Sequence, residues 1–175
     1  MTWKTLLSKK EADFPLFKVF EDVVELPNGL KLDYYWVEKI PVVAILPILP
    51  DKIVMVKQYR YPIKSYSLEL PAGHMNYSET PEECALRELK EETGYTANNI
   101  KKILSYNPST EYSDQIYHIF IAKDLKDGET DREKYEIIDV ELLKTESVIE
   151  KIMEGDITDG RTIVAVLIAR FMEEL

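Results

Sequence analysis

Residues 80–94 read TPEECALRELKEETG, and both ends of a helix are written into them. Thr80 is a good N-cap, Pro81 suits the first turn, Glu83 completes a capping box and Gly94 is the usual C-terminal stop. The spacing predicts a helix over Pro81 to Thr93. At about 100° per residue, Ala85, Leu86, Leu89 and Thr93 share one side, while Glu88, Glu91 and Glu92 gather on an adjacent side. Like charges three and four residues apart repel by a few tenths of a kcal/mol. The grouping is therefore useful only where something positive meets it, and a divalent cation would do so. The competing reading is a solvated face paired with Arg87 and Lys90.

Working outward, Leu68-Glu69-Leu70-Pro71-Ala72 runs into Gly73 as a strand entering a glycine loop, where a backbone can approach a ligand closely. Upstream, residues 17–26 and 30–39 flank Pro27-Asn28-Gly29, a strong hairpin signal. Further strands are expected over 42–49, 53–61, 65–70, 103–106, 115–122 and 137–143, separated by Pro, Gly or Asp-rich breaks. Two helices close the chain, over about 146–153 and 161–173, with Ile163, Leu167 and Phe171 at helical spacing.

The 175 residues, 45% hydrophobic and 31% charged, suit one globular domain with a small appended subdomain. The longest apolar stretch, Ile40 to Pro50, is about half a membrane span and holds three prolines. No secretory leader is visible, so a cytoplasmic location with no membrane partner is expected. The single Cys84 cannot form an intrachain disulfide or a zinc site of the cysteine-pair kind. A formal charge of -10 opposes nucleic-acid binding through a general basic field. An anionic small molecule would need cations to bridge it.

From Gly73 to Tyr95 the chain reads GHMNYSETPEECALRELKEETGY, which resembles the Nudix box, G-x5-E-x7-R-E-U-x-E-E-x-G-U with U a bulky aliphatic. Gly73, Glu79, Arg87, Glu88, Leu89, Glu91, Glu92 and Gly94 fall in register, and Tyr95 departs at the last position. The resemblance implies an α/β/α sandwich with a mixed sheet and a metal-dependent pyrophosphohydrolase. It implies Glu88 and Glu92 as ligands of Mg²⁺ or Mn²⁺, helped by Glu91 and the Ala72 carbonyl. Arg87 and Glu79 would tie loop to helix.

Outside the box, Val56 to Pro62, Leu68 to Gly73, Asn107-Pro108-Ser109, and Asp156 to Asp159 leading into Thr162 to Ala165 make the chain similar to the ADP-ribose pyrophosphatase branch. That similarity points to Arg60 as a phosphate or ribose contact and to Glu69 as a substrate or water contact. The bland readings are a solvated strand-end arginine and a structural ion pair. Tyr35 and Trp36 are candidates to stack on an adenine, against a core or dimer-contact role. The proline loop departs from the branch's Ser-Pro-Gly. A general base is expected from the loop 127–136, with Glu136 favoured over Glu133, and Glu129 also present. The same resemblance implies a homodimer, through an N-terminal antiparallel β-hairpin subdomain over 1–40 attached to a hydrolase domain over 41–175. GDP-mannose, NADH, or a catalytically silent nucleotide sensor remain alternatives.

Overall fold

The computed structural model describes residues 2–131 and 137–175. Two compact units divide the chain, Met1–Pro41 with Tyr106–Ile116, and Val42–Ser105 with Tyr117–Leu175.

In the first unit, β1 (Lys4–Phe14), β2 (Phe17–Glu25) and β3 (Lys31–Lys39) form an antiparallel sheet in that order. The β2–β3 hairpin runs in register from Phe17 opposite Lys39 to Glu25 opposite Lys31. Its turn uses the Asn-Gly pair as expected: Gly29 has φ 82°, and the Leu30 N–H is 3.2 Å from Asn28 Oδ1. The chain does not open with this hairpin, however, because β1 precedes it and pairs with β2 through two register shifts. Nearly every β1 side chain is exposed, so KTLLSKKEADF shows no clean alternation by which a strand would be recognised. Residues 106–116 join this unit through the Val37 N–H to Tyr112 O, 2.8 Å, and the Lys39 N–H to Asp114 Oδ1, 2.9 Å.

The second unit holds β4 (Val42–Pro47), β5 (Lys52–Arg60), β6 (Ser65–Glu69), β7 (Ala72–His74), α1 (Pro81–Thr93), β8 (Thr96–Tyr106), β9 (Tyr117–Lys126), β10 (Ile138–Lys144), α2 (Thr145–Glu154) and α3 (Gly160–Phe171). Its mixed sheet has the order β7-β4-β9-β8, and a second, antiparallel sheet has the order β10-β5-β6. All six residues of β4 are buried, as a strand covered on both faces requires. Val43 and Ile45 cluster with Phe120, Ala122 and the α1 residues Cys84, Ala85 and Leu89. Alternation along the strand turns Ala44 and Leu46 to the other face, where α3 packs on β4 and β9 with Ala165, Val166 and Ala169 buried. Helix, sheet and helix therefore stack as the expected α/β/α sandwich. The expected strand at 103–106 begins earlier, at Thr96, where the polar Thr96-Ala97-Asn98-Asn99 hides it.

Helix α1 starts and ends where its caps predict. Thr80 Oγ1 accepts from the Glu83 N–H at 3.2 Å, and Glu83 Oε2 accepts from the Thr80 N–H at 2.8 Å. The packed side differs from the expectation in one respect: Leu86 is exposed, and Cys84, Glu88 and Glu92 are buried with Ala85, Leu89 and Thr93. Residues four apart from 84 and 85 line that face, so two of the three acidic side chains belong to the buried side.

Gly94 ends α1 with φ 81°, and a Cβ there would lie 2.4 Å from the Gly128 carbonyl oxygen. Replacing Gly94 with Ala therefore combines a left-handed backbone with a clash against main chain. Urea unfolding of Gly94→Ala should show a loss of about 1–3 kcal/mol, whereas an unchanged midpoint would show that the contact relaxes freely.

Candidate active site

Five consecutive residues entering the glycine loop are each tied to another element of the second unit. The Glu69 carboxylate is held by Arg60 at the end of β5, through Nε at 2.8 Å and through Nη2, and by Arg161 Nη2 of α3 at 2.7 Å. The Leu70 N–H donates to Thr162 Oγ1 at 2.9 Å. Pro71, which has no N–H to place, accepts at its carbonyl from the Ile45 N–H at 3.0 Å. The Ala72 N–H donates to Glu92 Oε2 at 2.9 Å. Gly73 lies against Glu88, whose Oε1 would be 1.9 Å from any Cβ placed there. The absence of a side chain is what lets this carboxylate rest on the loop backbone.

Arg87 collects the acidic groups. Its Nε and Nη2 take Glu79 at 2.7 and 3.0 Å, and its Nη1 takes Glu88 Oε1 at 2.6 Å and Glu91 Oε2 at 2.8 Å. Nη2 also donates to the His74 carbonyl at 3.1 Å, joining helix to loop. The Arg87 guanidinium, against partial burial and with help from the Asn76 N–H, holds the Glu79 carboxyl down at about 2. The same pairing, with Glu79 first, raises the pKa of Arg87. Glu88 and Glu92 are 7% and 3% exposed, so these carboxylates belong to a largely dry site in which electrostatic effects are amplified. Cys84, inside this face, has its thiol pushed up to about 12 by burial and the Glu79 charge, which leaves it an inert packing group.

Among the described residues, no group of three or more His, Cys, Asp and Glu side chains is drawn together as a metal cluster. Arg87 Nη1 stands between Glu88 and Glu91. Glu133 and Glu136 lie outside the described residues, and Glu129 is exposed on the loop before them. Trp36 belongs to the first unit, where it stacks on Phe20 with centroids 4.7 Å apart and donates to Asp22 at 2.9 Å. Tyr35 is exposed and bonds to Glu21. His118 pairs with Ser105 at 2.8 Å. Arg60, read from the sequence as a substrate contact or a solvated arginine, is paired with Glu69 and only about a third exposed.

A family model described as NUDIX domain matches residues 38–164. The chain belongs to the Nudix family. A Nudix relative from Bacillus subtilis (strain 168), named ADP-ribose pyrophosphatase, is 34% identical over 98% of this chain and 95% of its own length. A protein from Bacillus methanolicus named methanol dehydrogenase activator is 34% identical over the same shares. A solved structure titled as an ADP compounds hydrolase superposes with a TM-score of 0.89 at 23% identity, covering 99% of this chain and 95% of its own, and it shows the same fold. The Nudix box of this chain is thus a three-dimensional unit, in which Arg87 joins Glu79, Glu88 and Glu91 and the loop supplies Gly73.

The residue that sequence reading missed is Arg161. Its neighbours Asp159 and Thr162 lay in a segment already marked by resemblance, and the Asp-x-x-Thr pattern is an N-cap signal. Nothing local linked Arg161 to Glu69, 92 positions away.

Two outcomes follow from this geometry. Gly73→Ala forces the Glu88 carboxylate off the loop, so turnover should fall about 100-fold with the melting temperature nearly unchanged, because the clash meets the flexible end of a side chain. Retained turnover would show that Glu88 need not rest on Gly73. Glu79 has a folded pKa below its usual value, so its ionised form stabilises the fold above about pH 4.5 and that contribution is lost as pH falls toward 2. The stability gap between the wild type and Glu79→Gln, followed by urea unfolding, should therefore shrink across that window; a constant gap contradicts the ion pair.

Proposed function

We propose that this Nudix hydrolase cleaves ADP-ribose to AMP and ribose 5-phosphate in a divalent-metal-dependent reaction. The observation that carries this reading is the set of carboxylates on α1, gathered by Arg87 against a glycine loop whose preceding residue, Glu69, leads back to Arg60. The substrate follows from the relative named ADP-ribose pyrophosphatase, which matches this chain almost end to end.

The donors fit a small hard cation: Glu88, Glu91 and Glu92 offer only oxygen, and two of them are buried on one helix face. These three and the Ala72 carbonyl would hold Mg²⁺ or Mn²⁺. When bound, the metal neutralises pyrophosphate charge and makes the attacking water more acidic. Arg87 keeps Glu88 and Glu91 in place, and Glu92 fixes the loop backbone by accepting from Ala72. Arg60 and Glu69 orient the substrate, Arg60 through its planar fork. Water attacks one phosphorus, the bridging P–O bond breaks, and the water's proton passes to Glu136, with Glu133 second in line and Glu91 the assisting carboxylate.

The exposed Leu7, Phe14 and Leu16 of β1 and its turn, with Trp3 just before the strand, lie at the sheet edge and support a homodimer formed through the first unit. Among the described residues no helix is long and apolar enough to cross a membrane, and a cytoplasmic location without nucleic-acid partners is the proposal that goes with the charge of -10. A second reading rests on the equally similar relative named methanol dehydrogenase activator, in which this chain would act on a dehydrogenase.

Product release from ADP-ribose, GDP-mannose, NADH and diadenosine polyphosphates with Mg²⁺ or Mn²⁺ tests the proposal. Selective AMP release from ADP-ribose without any protein partner, abolished in Glu92→Gln, is expected; silence across the panel contradicts it. Glu136→Gln should lower kcat by about 100-fold or more with KM nearly constant, whereas near-normal turnover shifts the base to Glu133 or Glu91. Light scattering should give twice the 20.4 kDa chain mass, and a clean monomer refutes the dimer.

A further inference from the structure

The Glu69 carboxylate is almost fully buried, with 3% of its side chain exposed, and it is shared by two guanidiniums. They differ in setting. Arg60 is 36% exposed, and Arg161 only 14%. Arg60 binds Glu69 through Nε and Nη2, and its Nη1 takes no hydrogen bond among the described residues. Arg161 reaches the same Oε2 from α3 at 2.7 Å, and its Nε is anchored at 3.0 Å to Asp159 Oδ1. Asp159 is in turn the N-cap of α3: its Oδ2 accepts from the Thr162 N–H at 2.9 Å and from Thr162 Oγ1 at 2.8 Å. The helix N-terminus, worth roughly half a positive charge, shares Asp159 with Arg161, whose Nη2 lies 3.0 Å from Oδ1.

A carboxylate paired with Arg60 alone would cancel the charge of Arg60. With Arg161 also on Glu69 Oε2, the carboxylate is shared between two guanidiniums, and Arg60 keeps Nη1 and part of its charge toward the exposed side. That side opens on a cleft of about 480 Å³ lined by Arg60, Ser67, Glu69, Tyr117, Asp159 and Arg161. The helix is itself fixed to the glycine-loop strand, because Thr162 Oγ1 accepts from the Leu70 N–H.

We infer that Arg161 is a positioning residue: through the shared carboxylate of Glu69 it sets the Arg60 guanidinium at the cleft, where Arg60 presents its charge to an anionic substrate. This rests on the proposed hydrolysis of ADP-ribose, and the Asp159–Arg161–Thr162 segment acquires a role through Arg60 without touching the reacting atoms.

Removing Arg161 draws Arg60 into a closed pair with Glu69. Steady-state hydrolysis of ADP-ribose by the full-length protein would then show KM raised about tenfold in Arg161→Met, with kcat within about threefold. Arg161→Lys, which restores charge but only one of the two bonds, would recover part of the loss. In a double-mutant cycle with Arg60→Met, the Arg161→Met effect would largely vanish, since its target is gone. Thermal unfolding of each variant separates folding damage from the KM effect. An unchanged KM in Arg161→Met overturns the inference, as does an equal KM rise in the Arg60→Met background. It is overturned too if kcat falls with the folded fraction, KM stays fixed and lysine gives no rescue. A wild type that leaves ADP-ribose intact overturns the hydrolase reading as well, whereas an active wild type with an additive cycle overturns only the role of Arg161.

Discussion

Carboxylates three and four residues apart on a helix repel one another, and a fold that places Glu88, Glu91 and Glu92 on one turn must supply the compensating charge. Arg87 does so in this protein. One guanidinium bonds to Glu79, Glu88, Glu91 and the His74 carbonyl, so the helix, the glycine loop and the segment between them are joined at a single point. Because Glu88 is buried, the arrangement has little tolerance: losing Arg87 would leave an uncompensated charge inside the protein, a change that typically costs about 3–5 kcal/mol. The pair with Glu79 keeps both partners ionised over the whole neutral range.

The second constraint is the short path from Glu69 to Gly73. Each backbone or side-chain group along it is satisfied by another element: β5 and α3 at Glu69, α3 again at Leu70, β4 at Pro71, α1 at Ala72 and Gly73. The loop is thereby held by the core of the sandwich, and its geometry is determined before any ligand arrives. Such preorganisation suits a reaction whose barrier is lowered mainly by fixed electrostatics. The same path links the cluster of Arg60, Glu69 and Arg161 to Gly73, which lies against Glu88 of α1.

What could be read in advance followed the range of the interactions. Helix α1 was legible to the residue because Thr80, Glu83 and Gly94 act locally, and the Asn28-Gly29 turn was legible for the same reason. The Nudix box named Arg87, Glu88, Glu91 and Glu92 because their spacing is fixed within two helical turns. Strand β1 was not legible, since its exposed residues carry no alternation, and the start of β8 was hidden by polar residues. That Glu88 and Glu92 are buried while Leu86 is exposed depends on where the loop crosses α1, which no helical periodicity contains. The Glu69–Arg161 pair joins residues that are remote in sequence, and only the folded chain shows it.

Carboxylates that Arg87 organises into a divalent-cation site serving hydrolysis must take up the ion before any substrate binds. Paramagnetic resonance of Mn²⁺ titrated into chelator-treated protein, for the wild type, Glu88→Gln and Glu92→Gln, tests this most directly, because free and bound ions differ in signal without any substrate present. Saturable uptake by the wild type is expected, weakened by about tenfold or more in each variant. Equal uptake by all three proteins, or full hydrolytic turnover by the metal-free wild type, would contradict it.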